Sequence, residues 1–220
     1  MHAWIKSQNT TPKELTKGLL IVNNVISFET EMKLLKFLRN SDIQWQNIVG
    51  KWGTLEQRRF GWGDSPVDRR NENEIPELLQ EVGNQLLMVF RSVHPSLPCF
   101  SSCTANRYPV GQGLGAHKDG PVWLPFVIGL TIGSSRIMEF TTTEGEKIQL
   151  HTKPCSAYMF YDIMYTEWYH ASLKGTKNEG KYHQENTVFS LTYRTVDTNF
   201  KGSYTYEEEQ FKYFSSESKK

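Results

Sequence analysis

Apolar positions recur along this chain with two different periods. After Gly18, the run Leu19-Leu20-Ile21-Val22 is too short for a helix and reads as a strand. From Phe28 to Arg39 the spacing lengthens: Met32, Leu35 and Leu38 fall along one helical face, and Ser27 stands where an N-cap belongs. A second helical spacing runs from Ile75 to Val89 through Leu78, Leu79, Val82, Leu86 and Val89, with Gly83 as its weak point. Between the two, Trp45–Asp64 is aromatic and rich in turn residues that break any helix.

From Cys103 onward the texture is β. Runs rich in Val, Ile, Thr, Tyr and Phe, separated by Gly, Pro or Ser, cover 104–108, 126–132, 136–142, 147–151, 157–161, 168–171 and 187–194. Seven or eight strands at this spacing imply a sandwich or jelly roll rather than a βαβ sheet. With two helices ahead of them, the expectation is an α+β, mainly β domain whose helices cover one sheet. The domain is expected over 18–200, after a flexible segment 1–17 and before a polar tail 201–220; Lys174–Asn186 reads as a polar loop.

Composition narrows the setting more than the chemistry. A chain of 220 residues fits one domain with a sizeable core. Its 25 basic and 24 acidic residues create no global field that advertises nucleic acid or membrane, so local clusters must carry any such claim. Three cysteines, Cys99, Cys103 and Cys155, form no C-x-x-C pair, and an odd number argues against a disulfide framework. A reducing compartment, cytoplasm or nucleus, is the simplest expectation. No leader-like apolar segment and no run of membrane-spanning length stands out.

The candidate chemistry lies in His117-Lys118-Asp119 and a lone His170. Taken singly, each histidine is more often a surface or core residue than a ligand. The H-x-D spacing changes that, because residues i and i+2 of a strand point the same way. Gly111, Gly113, Gly115 and Gly120 flank the pair and suit a close backbone approach. His170 ends a Tyr/Trp-rich strand; its rivals, His151 beside a Lys-Pro turn and His183 in the polar loop, look exposed. Two imidazoles and a carboxylate on one face of an ion leave the opposite face open, the ligand set of mononuclear non-haem Fe(II). The same donors also suit Zn²⁺. Arg194, closing the apolar strand that begins at Val188, needs an anionic partner if it is buried. A carboxylate on a bound co-substrate is one such partner; Asp197 or Glu139 is another.

These residues resemble the AlkB family of Fe(II)/2-oxoglutarate dioxygenases over roughly residues 18–198. The resemblance rests on Asn106-x-Tyr108, Gly113-Leu114-x-x-His117-x-Asp119, Tyr165–His170 and Ser190–Arg194. The stretches 117–125, 133–140 and 165–170 look most like the branch containing the sixth human AlkB homologue. It implies a double-stranded β-helix with N-terminal helices and a nucleotide-recognition lid at 45–70. It also implies Fe(II) on His117, Asp119 and His170, with 2-oxoglutarate and O₂ as co-substrates. Asn106, Tyr108, Ser190 and Arg194 would line the 2-oxoglutarate pocket.

Two departures stand out. The family pairs two arginines six residues apart on one strand face; the second falls on Arg194, but the first, which grips the distal carboxylate of 2-oxoglutarate, falls on Val188. Ser190 and Tyr108 offer only neutral hydrogen bonds, roughly half as strong as charge-assisted ones. Arg136 or Lys147 on another strand is a candidate substitute, so a weakened or rerouted co-substrate site is expected. The second departure is Pro121, where DNA-repairing members often carry an acidic residue that contacts the base. What remains for nucleic acid is the lid, where Trp52, Phe60 and Trp62 interleave with Lys51, Arg58 and Arg59, and Arg69-Arg70 follow. Aromatics stack on exposed bases and cations meet phosphate; equally, these rings could pack beneath the lid with the arginines solvated. The expectation is an oxygenase that hydroxylates or demethylates an alkylated base in DNA or RNA, single-stranded or flipped. A binding protein that lost turnover through Val188, or a protein or small-molecule hydroxylase, are the alternatives.

Overall fold

A computed structural model describes residues 11–50, 53–61, 74–174 and 187–200. Its elements in chain order are β1 (Lys13–Thr16), β2 (Leu19–Val22), α1 (Phe28–Leu38), β3 (Gln46–Gly50), β4 (Gly53–Gly61), α2 (Glu77–Arg91), β5 (Ser102–Tyr108) and β6 (Leu114–His117). There follow β7 (Phe126–Ile132), β8 (Arg136–Thr141), β9 (Lys147–Thr152), β10 (Ala157–Tyr161), the short α3 (Ile163–Thr166), β11 (Tyr169–Ser172) and β12 (Val188–Arg194). Two antiparallel sheets face each other, a large one ordered β1-β2-β10-β7-β12-β5-β4-β3 and a small one ordered β6-β11-β8-β9. This is the jelly roll that the strand spacing predicted, mainly β with helices on one side.

Period-two alternation builds two layers from the large sheet. Phe189, Leu191 and Tyr193 of β12, Cys103 and Ala105 of β5, and Ile128 and Leu130 of β7 face outward and form the main core with α1 and α2. The intervening residues, among them Thr104, Asn106, Ser190 and Thr192, face inward toward the small sheet and line a cavity. Deeper between the sheets, Leu19, Val127, Met138, Phe140, Leu150 and Phe160 close a second apolar cluster.

Both helices lie close to the predicted bounds. Ser27 accepts a hydrogen bond from the Thr30 amide at 3.0 Å, capping α1. The buried stripe of α1 is rotated from the predicted one: Met32 is 41% exposed, whereas Glu31 is buried beside Leu34, Leu35 and Leu38. The Glu31 carboxylate is satisfied there, accepting from the Gly133 amide at 2.9 Å and the Cys155 thiol at 3.2 Å. Gly83 in α2 is a packing requirement, since a Cβ there would lie 2.9 Å from the Tyr193 ring. That approach lets the Tyr193 hydroxyl donate to the Leu79 carbonyl at 2.9 Å.

Within the turn-rich stretch after Trp45, residues 46–50 and 53–61 pair as the β3–β4 hairpin, which extends the large sheet through the pairing of β4 with β5. Likewise β1 forms within the segment expected to be loose. The region 175–186 of the polar loop and the tail beyond Phe200 lie outside the described residues. No helix among the described residues is long and apolar enough to cross a membrane.

Candidate metal centre and co-substrate pocket

The three candidate ligands come from two adjacent places in the small sheet. His117 ends β6 and His170 lies directly opposite it on β11, with ring centroids 4.2 Å apart. Asp119 is not on the strand, as the alternation argument assumed, but in the coil just past its end. The donor atoms of His117, Asp119 and His170 all lie within 4.8 Å of one another, and all three side chains line the cavity. Of the two rivals, His151 is exposed on β9, and His183 lies outside the described residues.

The surroundings prepare this cluster for a cation. His117 Nδ1 donates to the Gly115 carbonyl at 2.9 Å, which fixes the tautomer and leaves the lone pair on Nε2. Burial drives the His170 imidazole down to about 3, with neighbouring His117 adding to the effect, so it is neutral and able to ligate at pH 7. Burial pushes the Asp119 carboxyl up, but the Arg194 guanidinium, 2.7 Å from Oδ1, together with the His170 and His117 rings outweighs it and holds the group below the usual carboxylate range. The second oxygen, Oδ2, is buried without a hydrogen-bond partner, 3.9 Å from His170 Nε2. An orphaned carboxylate oxygen facing a neutral imidazole is what a bound divalent cation would complete, so these residues fit a metal.

Arg194 thus has a partner that neither Asp197 nor Glu139 provides; Glu139 pairs instead with Lys147 and Gln149. Rather than reserving its whole fork for a co-substrate, Arg194 holds the metal-ligand carboxylate and also reaches Thr104 Oγ1 at 3.4 Å. Nothing in the sequence signalled that pairing, which spans 75 residues.

The other predicted pocket residues do converge on the cavity, whose volume is about 490 Å³, within the usual range for small-ligand sites. Gln57 Nε2 donates to Asn106 Oδ1 at 2.8 Å, and Asn106 Nδ2 to Ser190 Oγ at 3.4 Å. Gln57 was missed at the sequence level, because its role appears only once β4 is seen beside β5. Val188 is buried in a small apolar cluster with Leu55 and Tyr108 and presents no charge. Lys147, one candidate substitute, is exposed and paired with Glu139 on the edge strand β9. Arg136, the other, is 7% exposed and lines the cavity.

The lid residues divide by strand face. Arg59 points to the cavity, its Nε donating to Gln57 Oε1 at 2.8 Å. Phe60 does not: it is buried in the helix-side core near Phe37, so it is a packing residue and not a stacking platform. Alternation explains this correction, since adjacent strand residues face opposite sides. Arg58 shares the face of Phe60, its guanidinium 5.7 Å from that ring centre. Trp52 and Trp62, with Lys51, Arg69 and Arg70, lie outside the described residues.

No protein-family model matches the chain. It is 28% identical over 195 residues to the uncharacterized protein L905 of Acanthamoeba polyphaga mimivirus, covering 81% of this chain and 85% of that protein. It is 28% identical over 156 residues to mouse tRNA (carboxymethyluridine(34)-5-O)-methyltransferase ALKBH8, and 31% identical over 97 residues to zebrafish probable RNA/DNA demethylase ALKBH6. These matches cover 65% and 41% of this chain but only 22% and 38% of those two relatives. The fold is shared with OsALKBH1, at a TM-score of 0.62 and 13% identity over 83% of this chain and all of that one. It is also shared with a 2OG-Fe(II) oxygenase family oxidoreductase from Burkholderia pseudomallei, at a TM-score of 0.58 and 13% identity, covering 81% and 85% of the two chains. The chain is thus similar over part of its length to two ALKBH sequences, shares the fold of a third and of a 2OG-Fe(II) oxygenase family protein, and carries a two-His-one-Asp cluster facing its cavity.

Proposed function

We propose that the protein hydroxylates, and thereby demethylates, an alkylated base in nucleic acid, with Fe(II) held by His117, Asp119 and His170. The observation that carries the reading is the clustering of these three donors, one carboxylate oxygen unpartnered, in the wall of a cavity large enough for a co-substrate. The substrate class is supported by the names of the two ALKBH relatives, one a probable RNA/DNA demethylase and one a tRNA methyltransferase. When bound, Fe(II) with 2-oxoglutarate and O₂ supplies the oxidising power to hydroxylate a C–H bond; an N-methyl group so hydroxylated then leaves as formaldehyde.

The chain's own residues supply position and environment. Gly115 orients the His117 ring through its carbonyl, and Arg194 orients Asp119, so the donor set is assembled before a metal arrives. Phe140 and Phe160 pack at 6.4 and 4.7 Å from the His170 ring and keep water from that side of the site. Asn106, Ser190 and Gln57 form a neutral hydrogen-bonding wall against which a polar ligand is aligned. Arg59, on the cavity face of β4, offers a cation to a phosphate.

The test is incubation of the Fe(II)-loaded protein with 2-oxoglutarate, air and methylated single-stranded DNA and RNA oligonucleotides. The expected result is a mass loss of one methyl with release of formaldehyde, absent in His170→Ala. Unchanged masses across N-methylated DNA and RNA, alongside succinate formation with a peptide substrate, would replace this reading with a protein hydroxylase.

A further inference from the structure

Among the described residues, Arg136 is a buried charge that the proposed chemistry leaves unexplained. It opens β8 on the small sheet, is 7% exposed, and reaches into the cavity of the metal centre. Its hydrogen bonds go only to neutral acceptors: Nε to the Ser172 hydroxyl, and Nη2 to the carbonyls of Gln112 at 3.1 Å and Ser172 at 3.4 Å. Nη1 makes no hydrogen bond among the described residues, and no carboxylate among them pairs with the guanidinium. One face of the guanidinium lies on the Tyr108 ring, 3.5 Å from its centre. Removing a charge from water without an anionic partner is costly, and Tyr108 stacking offsets only part of that cost. No anion among the described residues answers this charge.

The place of Arg136 says which anion. Tyr108 is the cross-strand partner of Val188, so the guanidinium lies at the Val188 end of β12. The opposite end of that strand carries Arg194, which holds Asp119. 2-Oxoglutarate is charged at both ends; its keto-acid end belongs at the metal, and its other carboxylate needs a cation further along the cavity. Three arginines line this cavity. Arg194 is committed to Asp119, and Arg59 lies on the β4 hairpin strand bonded to Gln57.

We propose that Arg136 is the residue that binds the distal carboxylate of 2-oxoglutarate, with Tyr108 holding its guanidinium in place. The assignment rests on the oxygenase reading and adds to it a specificity-determining cation on the small sheet, facing a large-sheet strand that offers only Val188 at that point. A guanidinium fork held by stacking on one side is suited to a carboxylate approaching in its plane.

The test uses the Fe(II)-loaded protein under anaerobic conditions, titrated with 2-oxoglutarate and with 2-oxobutyrate, which keeps the keto-acid end but lacks the second carboxylate. Binding is read from the visible metal-to-ligand absorption. Arg136→Met should weaken 2-oxoglutarate by about 10- to 100-fold while leaving 2-oxobutyrate and Fe(II) content unchanged. Adding Val188→Arg to that variant should restore 2-oxoglutarate affinity from the opposite strand. Val188→Glu alone should occupy Arg136 internally and weaken 2-oxoglutarate selectively, which keeps the idea testable if Arg136→Met does not fold. Equal affinity of wild type and Arg136→Met for 2-oxoglutarate, or equal loss for both acids, overturns the assignment. A wild-type protein that takes up Fe(II) yet shows no absorption with 2-oxoglutarate sinks the oxygenase reading itself.

Discussion

At the scale of single residues, the Arg194–Asp119 pair does two jobs at once. It neutralises a buried carboxylate in the metal-free protein, and it aims the remaining oxygen at the histidines. Arg194→Met should therefore destabilise the metal-free protein by about 3–5 kcal/mol, the usual cost of orphaning one member of a buried pair. A divalent cation would supply the lost positive charge, so the deficit should shrink when Mn²⁺ is added; thermal unfolding with and without the ion measures both. Thiols offer a second check. Burial pushes Cys103 and Cys155 up to about 12, the latter also opposed by the Glu31 carboxylate, while Cys99 is exposed. A disulfide reagent at pH 8 should modify one thiol per folded molecule, and three after denaturation. Because both folded pKa values lie above the ordinary thiol value of 9.0, stability from keeping these thiols protonated is present below pH 9 and is lost as pH climbs toward 12. A rising midpoint across that window would contradict the placement of Cys155 against Glu31.

At the scale of elements, the legible parts were those with local signatures. The cap at Ser27, the alternation of Phe189, Leu191 and Tyr193, and the runs at 126–132 and 157–161 all correspond to elements of the structure. Ser27→Ala should lower stability by about 1 kcal/mol, read as a shift in the urea midpoint without change in slope. The β3–β4 hairpin was illegible because its residues take their places from pairing with β5, 41 to 51 positions away, not from their own composition. The Arg107–Glu56 ion pair that ties β4 to β5 has the same long-range character. In the site, the H-x-D spacing and His170 were readable, since metal chemistry restricts residue type and interval. The engagement of Arg194 by Asp119 and the burial of Arg136 against Tyr108 were not, because each joins strands distant in sequence. Phe60 shows the limit of compositional reasoning: aromatic beside arginine looked like a nucleic-acid surface, yet alternation turns that ring into the core.

At the scale of the whole molecule, the metal centre belongs to the small sheet while its wall belongs to the large one. A cation bound at His117, Asp119 and His170 would stiffen the sheet with fewer strands, and the folded state should gain from it. At 100-fold excess over its Kd, Mn²⁺ should add about 2.7 kcal/mol, which for a chain of this size raises Tm by roughly 5–10 °C. Chelator should reverse the shift, and His117→Ala should show none of it. The ladder between β6 and β11 then has a consequence of its own. His117 and His170 ride on directly opposed rungs, and β6 has no other strand neighbour among the described residues. Sliding β6 by one rung would turn its imidazole away from the cavity, since each step reverses the side a residue faces. The ladder already absorbs one extra β6 residue between Leu114 and His117, so a further single-residue insertion there should abolish the Mn²⁺ stabilisation, whereas a two-residue insertion should keep the imidazole facing the cavity.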